Sequence, residues 1–508
     1  MRAPRRADAR SLSRLSLISQ RPRGMVFSAD DAGCFAPILW NWPAKEVDAI
    51  VLTDGSRILG LGDLGANGLA ISIGKLNLYC AAAGCGVGWG GAVAGSERRA
   101  VAHPRRLPRP PSFHPSRVLP IVLDVGTDNK TLRADPAYGG LARERLTGDA
   151  YFALLDELVT ALTTRYPKAV LQFEDFSTDV ASIALERYRS HHLTFNDDIQ
   201  GTAATAVAGL HGALKANGLP SQALTDQKIV VVGAGSAGLG VVRMVAASMR
   251  ALGAAPAAAA ARFWVLDAHG LVTRARGTFL DPAVAPFARP AGGGDVEGEN
   301  LLDVVSRVKP DVLIGLSGAG RLFTPAVLAA LSAGVPDGRR PVVMPLSNPQ
   351  SRMECLAADA AAATGGRAIF ASGSPQADVN LPGGGVMRSS QANNMYVFPG
   401  LALGAFLGET GAVTDAMLAA AAEALPALID PADSAEGAIY PKLSAIREIS
   451  TQVAAAVMRA ADSEGRVGSA PARAALAAGA TALEAHIKNR MYNPVYKPLI
   501  RLPVGVME

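Results

Sequence analysis

The chain has 508 residues, 49% of them apolar and 5% aromatic, with a formal charge of +5. That allows roughly two to four domains with large cores. The basic excess is local, crowding Arg2, Arg5, Arg6, Arg10, Arg14, Arg21 and Arg23, and again Arg98, Arg99, Arg105, Arg106, Arg109 and Arg117. Neither cluster carries interleaved aromatics, which excludes a nucleic-acid role. Plentiful Gly and Ala suit helices packed closely on a parallel sheet. Cys34, Cys80, Cys85 and Cys355 form no CxxC pair and no metal-ligand spacing, which points to a reduced compartment. No apolar run is long enough to span a bilayer, so no membrane partner is expected.

The first twenty residues are rich in Arg and Ser and carry one acid, Asp8. That composition resembles a transit peptide. From Glu46 to Asp63 the pattern predicts a strand over Val47–Leu52, a turn at Asp54-Gly55 and a second strand at Ile58-Leu59. Gly60, Gly62 and Gly65 then make a bend, and Ile71 to Tyr79 is mostly apolar, with Lys75 its only charge. Residues 85–113 are dense in Gly, Pro and Arg without period, the composition of a disordered surface loop or linker.

Val118–Asp124 reads as a buried strand, Asp149–Tyr166 as an amphipathic helix and Ala169–Phe173 as a short strand ending at Glu174-Asp175. A helix is expected next, then Leu193–Asp198, then a helix of small residues over Gly201–Ala216. A second unit begins near Asp226. Lys228–Val232 is a strand leading into Gly233-Ala-Gly235-Ser-Ala-Gly238 and an apolar helix. Further strands are expected at Phe263–Leu266, Val312–Ile314, Val342–Met344 and Ala368–Phe370, and the chain from Leu401 is Ala-rich and helical. Alternating strands and helices imply a doubly wound parallel sheet, with ligands outside the carboxyl ends of the strands.

Four constellations carry chemistry. Gly233, Gly235 and Gly238, with Ser236 and Ala237 between them, follow a strand and open a helix, and Asp267 ends the next strand. That context supports a dinucleotide site, its pyrophosphate at the helix N-terminus and its ribose on the acid. A plain strand-helix turn is the alternative. Glu174-Asp175 and Asn196-Asp197-Asp198 gather carboxylates at strand ends. These could hold Mg²⁺ or Mn²⁺, since oxygen-only donors suit those ions, or they could be helix caps and solvated acids. Lys75, the only charge between Ile71 and Leu78, could be a base of lowered pKa or a lysine whose stem packs while its head reaches water. Arg57, Asn348 and Asn394 lie in loops, where a guanidinium can grip a carboxylate and amides can bind or simply turn the chain.

These stretches resemble the malic enzyme family. The resemblance is carried by Val51-Leu-Thr-Asp-Gly-Ser-Arg-Ile-Leu-Gly-Leu-Gly-Asp63, Ile121-Val-Leu-Asp-Val-Gly-Thr-Asp-Asn129, Gln172-Phe-Glu-Asp-Phe176 and Thr194-Phe-Asn-Asp-Asp-Ile-Gln-Gly-Thr202. Gly318-Ala-Gly-Arg-Leu-Phe-Thr-Pro325, Leu346-Ser-Asn-Pro349 and Phe370-Ala-Ser-Gly-Ser-Pro375 extend it. It implies an α/β fold: a malic-type N-terminal substrate and metal domain over 21–198, a Rossmann-like NAD(P)-binding domain over 199–455, and a helical extension over 456–508. It implies oxidative decarboxylation of L-malate to pyruvate and CO₂ with NAD or NADP and with Mg²⁺ or Mn²⁺. Glu174, Asp175 and Asp198 resemble the metal ligands. Lys75 resembles the general base, with Asp197 supporting it. Arg57, Asn348 and Asn394 resemble malate-binding residues. The turn at Gly233, Gly235, Ser236, Ala237 and Gly238, with Asp267 and Asn348, falls where the family binds the dinucleotide. A homodimer or homotetramer in the mitochondrion or cytoplasm is implied.

Two segments depart from the family, the leader 1–20 and the insertion 85–113. Both are expected to be translated intron or wrongly assigned exon, with a surface loop as the alternative for the second. The family's acid is a tyrosine upstream of the segment matching Arg21–Gly24, and this sequence has no tyrosine before Tyr79. The alternative expectation is therefore a catalytically impaired subunit that binds malate and NAD. Asp267 beside a 2′-phosphate is repulsive and favours NAD, whereas Arg274 and Arg276 could offset it.

Overall fold

Fully buried parallel strands are continuous apolar runs, because both faces are covered. A computed structural model describes residues 23–58, 60–84, 112–292 and 294–492. The chain forms two compact units, the first built from residues up to Asn77 and from Val118–Ser177, the second from Leu78–Arg117 and from Thr178 onward.

The first unit holds strands β1 (Met25–Ser28), β2 (Ala49–Thr53), β3 (Val118–Asp124) and β4 (Val170–Phe173). They lie parallel in the order β1-β3-β2-β4, with Ile50 opposite both Leu119 and Leu171. Every residue of β2, β3 and β4 is buried. Helix α1 (Leu69–Ala82) carries Lys75. Helix α2 (Gly148–Arg165) buries Tyr151, Leu154, Leu155, Leu158, Val159, Ala161 and Leu162, the one-sided spacing expected of it.

The expected strand at Ile58-Leu59 does not form. Ile58 makes only an isolated antiparallel bridge to Gly62, and Leu59 lies outside the described residues. The turn is too tight for a returning strand: Ile58 N donates to Gly62 O and Gly62 N to Ile58 O, both at 2.9 Å. Asp63 leaves this bend to meet Arg145, whose Nη2 lies 2.9 Å from Asp63 Oδ1 and whose Nη1 lies 3.7 Å from Asp54 Oδ2. Burial pushes the Asp63 carboxyl up, but the paired hydrogen bonds and charge of Arg145 outweigh it and hold its pKa below the ordinary value. This pair pins the loop after β2 in place.

The second unit begins with helix α3 (Thr178–Tyr188), strand β5 (Thr194–Asn196) and helix α4 (Thr202–Ala216), whose residues 203–214 are all buried. Then come strands β6 (Ile229–Val232), β7 (Phe263–Asp267), β8 (Gly270–Leu271), β9 (Val312–Gly315), β10 (Val342–Pro345) and β11 (Ile369–Ser372). A small hairpin of β12 (Val379–Asn380) and β13 (Val386–Met387) precedes β14 (Ser389–Gln391). The main sheet has the order β14-β11-β10-β9-β6-β7-β8, all parallel except the antiparallel pair β7–β8. Helix α5 (Ser236–Ala251) follows β6.

The chain beyond Phe398 is helical, as expected, with long helices at Phe398–Gly408, Asp415–Ala424 and Ile446–Ser463. Within this unit Tyr79 stacks edge-on against Phe113 at 5.2 Å and Phe398 at 4.9 Å, and Phe113 meets Phe406 at 5.8 Å. The leader 1–20 and most of the segment 85–113 lie outside the described residues.

Candidate active site

Both sheets reverse their direction of winding beside a central strand, and loops leaving such a point are where α/β proteins bind ligands. In the first unit β2 has β3 on one side and β4 on the other. The loop after β2 folds on the Asp54 carboxylate, which accepts from Ser56 N at 2.9 Å and from Ser56 Oγ at 2.6 Å. The loop after β4 joins it: Ser177 N donates to Ser56 Oγ at 2.8 Å, and Arg57 N donates to Asp175 O at 3.2 Å. Arg57 is exposed.

Glu174 and Asp175 are 3% and 4% exposed. Glu174 Oε2 accepts from Gln172 Nε2 at 2.6 Å, and its Oε1 pairs with Lys75 Nζ at 3.0 Å. Asp175 has φ of 56°, a left-handed conformation that costs a non-glycine residue energy and gathers at functional sites. The first unit thus brings together Lys75, Glu174, Asp175 and the Arg57 loop. Two buried carboxylates supplying only oxygen donors fit a hard divalent cation such as Mg²⁺ or Mn²⁺ rather than zinc.

In the second unit Asp197 and Asp198 open a π-helical turn, Asp197–Gly201, capped by the Asn196 side chain. Asp197 is fully buried and Asp198 is half-buried. Asn394 Nδ2 donates to Asp197 O at 3.1 Å, to Asp197 Oδ2 at 3.2 Å and to Thr202 Oγ1 at 3.1 Å. Asn394 and Asp197 are therefore one polar group. Asn348 ends the loop after β10 and accepts from Ser374 Oγ at 2.5 Å.

The glycine turn sits at the reversal between β6 and β9. Gly233 has φ of 119°, and a side chain there would strike Leu316 O of the loop after β9 at 2.5 Å. A Cβ on Gly238 would lie 1.9 Å from Gly233 O. Gly235 is open, with nothing within 4 Å of its would-be Cβ. It is the N-cap of α5 and offers no side-chain cap to that helix, leaving its first N–H groups for an anion. The turn fits a pyrophosphate. Gly238→Ala is expected to abolish NADH binding while the chain stays folded, read by fluorescence titration beside far-UV circular dichroism. Unchanged affinity would show that the turn does not hold the nucleotide.

Asp267 ends β7 and accepts from His269 N at 2.8 Å. Arg276 ion-pairs with it, and that hydrogen bond raises the guanidinium pKa still further. Arg274 is exposed, and its backbone N donates to Arg289 O. Several contributors were not legible in the sequence. Glu354 is fully buried, and its Oε1 accepts from Ser317 N at 3.1 Å, Ser317 Oγ at 2.8 Å and Ser347 Oγ at 2.6 Å. It ties the loop after β9 to the loop that carries Asn348. The one available signal was a lone acid in the apolar context of Met353 and Cys355.

A glycine-turn Rossmann sheet in one unit and buried acids in another define a dinucleotide-binding protein of two α/β units. The family model for the malic enzyme NAD-binding domain matches residues 199–462, and that for the malic enzyme N-terminal domain matches 7–87 and 111–189. The chain belongs to the malic enzyme family. It is 47% identical over 453 residues to the mitochondrial NAD-dependent malic enzyme of Solanum tuberosum, covering 88% of this chain and 67% of that protein. It is 44% identical over 492 residues to the mitochondrial NAD-dependent malic enzyme 1 of Arabidopsis thaliana, covering 95% and 74%. It is 38% identical over 481 residues to the NADP-dependent malic enzyme of Columba livia, covering 94% and 78%. The crystal structure of malic enzyme from Pyrococcus horikoshii shares the fold, with a TM-score of 0.60 at 20% identity over 96% of this chain and 92% of that one.

Proposed function

We propose that the chain oxidatively decarboxylates L-malate to pyruvate and CO₂, reducing NAD⁺ or NADP⁺, with Mg²⁺ or Mn²⁺ held by Glu174, Asp175 and Asp198. The observation that carries this reading is the ion pair between Lys75 Nζ and Glu174 Oε1, at 3.0 Å, on the edge where the first sheet reverses. Relatives named as NAD- and NADP-dependent malic enzymes support it. Homo-oligomers and a mitochondrial location, the latter printed in the names of the Solanum and Arabidopsis relatives, belong to the same reading.

When bound, the cation supplies positive charge to the substrate's oxygens and the nicotinamide takes the hydride. Lys75 Nζ, in its neutral form, accepts the proton of the malate C2 hydroxyl as the C–H bond breaks. Arg57 grips a malate carboxylate, and Asn348 and Asn394 orient the other end. Asp197, held by Asn394, assists the proton transfer. After CO₂ leaves, the enol carbon must receive a proton to give pyruvate.

Purified chain given malate, NAD⁺ and Mn²⁺ is expected to release pyruvate and CO₂ in equal amounts, and EDTA is expected to stop it. Malate consumption unaffected by chelation would refute the metal. A second reading is a subunit that binds malate and NAD but turns over poorly. Such a chain would reduce oxaloacetate with NADH yet form pyruvate about 10²–10⁴-fold more slowly, the usual cost of losing one general acid.

A further inference from the structure

We propose that Glu297 is a specificity-determining residue for the dinucleotide. By holding Arg276 against Asp267 it keeps a net negative charge at the ribose end of the site and selects NAD over NADP. This rests on the reading that the turn from Gly233 to Gly238 binds a dinucleotide.

In such folds an acid at the end of the second strand receives the ribose hydroxyls, whereas a nearby arginine accommodates a 2′-phosphate. Here both residue types occupy the place, and the arginine is already engaged. Arg276 Nη1 donates to Asp267 Oδ2, and Nη2 lies 3.4 Å from Asp267 Oδ1. On its other side Arg276 Nε donates to Glu297 Oε1 at 2.6 Å. Glu297 is itself anchored, because its Oε2 accepts from Thr273 N at 2.7 Å and from Thr273 Oγ1 at 2.9 Å. Thr273 is fully buried and bridges to Arg289, so the anchor is rigid.

The charges then decide. Two carboxylates and one guanidinium leave a net charge of −1 around Arg276. A phosphate monoester brings roughly −1.5 to −2 more. Arg276 can meet it only by turning toward it, which means leaving Glu297. Without Glu297 the remaining pair, Asp267 and Arg276, is neutral, and the guanidinium is free to swing to the phosphate. A like charge set against the wrong ligand is a common source of discrimination. Asp267 alone does not distinguish the two cofactors here, since its charge is offset by Arg276. Glu297 supplies the excess.

The test is binding of NADH and NADPH, without malate or metal ion, followed by nicotinamide fluorescence. The wild-type chain should bind NADH more tightly than NADPH, and added KCl should shrink the difference, because the repulsion is part-exposed and screened. Glu297→Gln should narrow the gap on the order of tenfold, mostly through tighter NADPH binding. Thr273→Val, which removes one anchor of Glu297, should move the ratio the same way by less. Equal wild-type affinities, or an unchanged ratio in Glu297→Gln, would overturn the assignment. If neither nucleotide binds the wild-type chain, the dinucleotide reading of the glycine turn fails, and the assignment to Glu297 falls with it.

Discussion

Replacing Lys75 with methionine is expected to lower kcat for pyruvate formation by about 10²–10⁴-fold, the range for losing a general base. Methionine keeps the stem of the side chain but removes the amine that stands 3.0 Å from Glu174. Glu174 is only 4% exposed at its side chain, so the variant also strips a buried carboxylate of its cation. Lys75→Arg separates the two effects. Arginine restores a cation opposite Glu174 but does not give up its proton in a protein. Turnover should therefore stay low in Lys75→Arg while thermal stability returns. Near-normal turnover in Lys75→Arg would assign Lys75 a purely structural part.

The second large effect concerns the carboxylates. Glu174→Gln, Asp175→Asn and Asp198→Asn should each weaken Mn²⁺ binding by more than the roughly 10–100-fold that loss of an outer-shell partner costs. Mn²⁺ binding to the resting protein, followed by electron paramagnetic resonance, reads this without turnover. Mn²⁺ should also raise the melting temperature of the wild-type chain, since a ligand at 100 times its Kd adds about 2.7 kcal/mol of stability. The variants should lose that gain at the same Mn²⁺ concentration. If the three residues share one ion, each substitution should remove the same single site. If Asp198→Asn leaves Mn²⁺ binding intact while Glu174→Gln abolishes it, Asp198 is not a ligand.

Much of this was legible because buried parallel strands leave a plain mark. Val118–Leu123 and Ile229–Val232 are apolar throughout and lie in central strands, and helix α2 shows its buried face in its spacing. Edge elements leave no such mark. Strand β14, Ser389–Gln391, is wholly polar and half-buried, and no period reveals it. Ile58 resembled the start of a returning strand because an apolar pair after Asp54-Gly55 fits a hairpin. The bridge to Gly62 shows that glycines close the bend first.

The site followed the same division. Glu174, Asp175 and Asp267 stand at strand ends, where the sequence places them directly. The partners that hold them are distant in the chain. Arg276 and Glu297 meet across a loop with no repeat, and Glu354 reaches Ser317 and Ser347 from a following segment. Chain order carries no record of such tertiary meetings between polar groups.

The ring cluster of Tyr79, Phe113, Phe398 and Phe406 has a consequence for how the chain is made. Tyr79 and Phe113 leave the ribosome long before Phe398 and Phe406 exist. Both early rings are wholly hidden in the finished fold, yet they wait through most of translation with their covering rings still unmade. The nascent chain therefore carries an adhesive aromatic patch, a natural client for a holding chaperone, until the last quarter emerges.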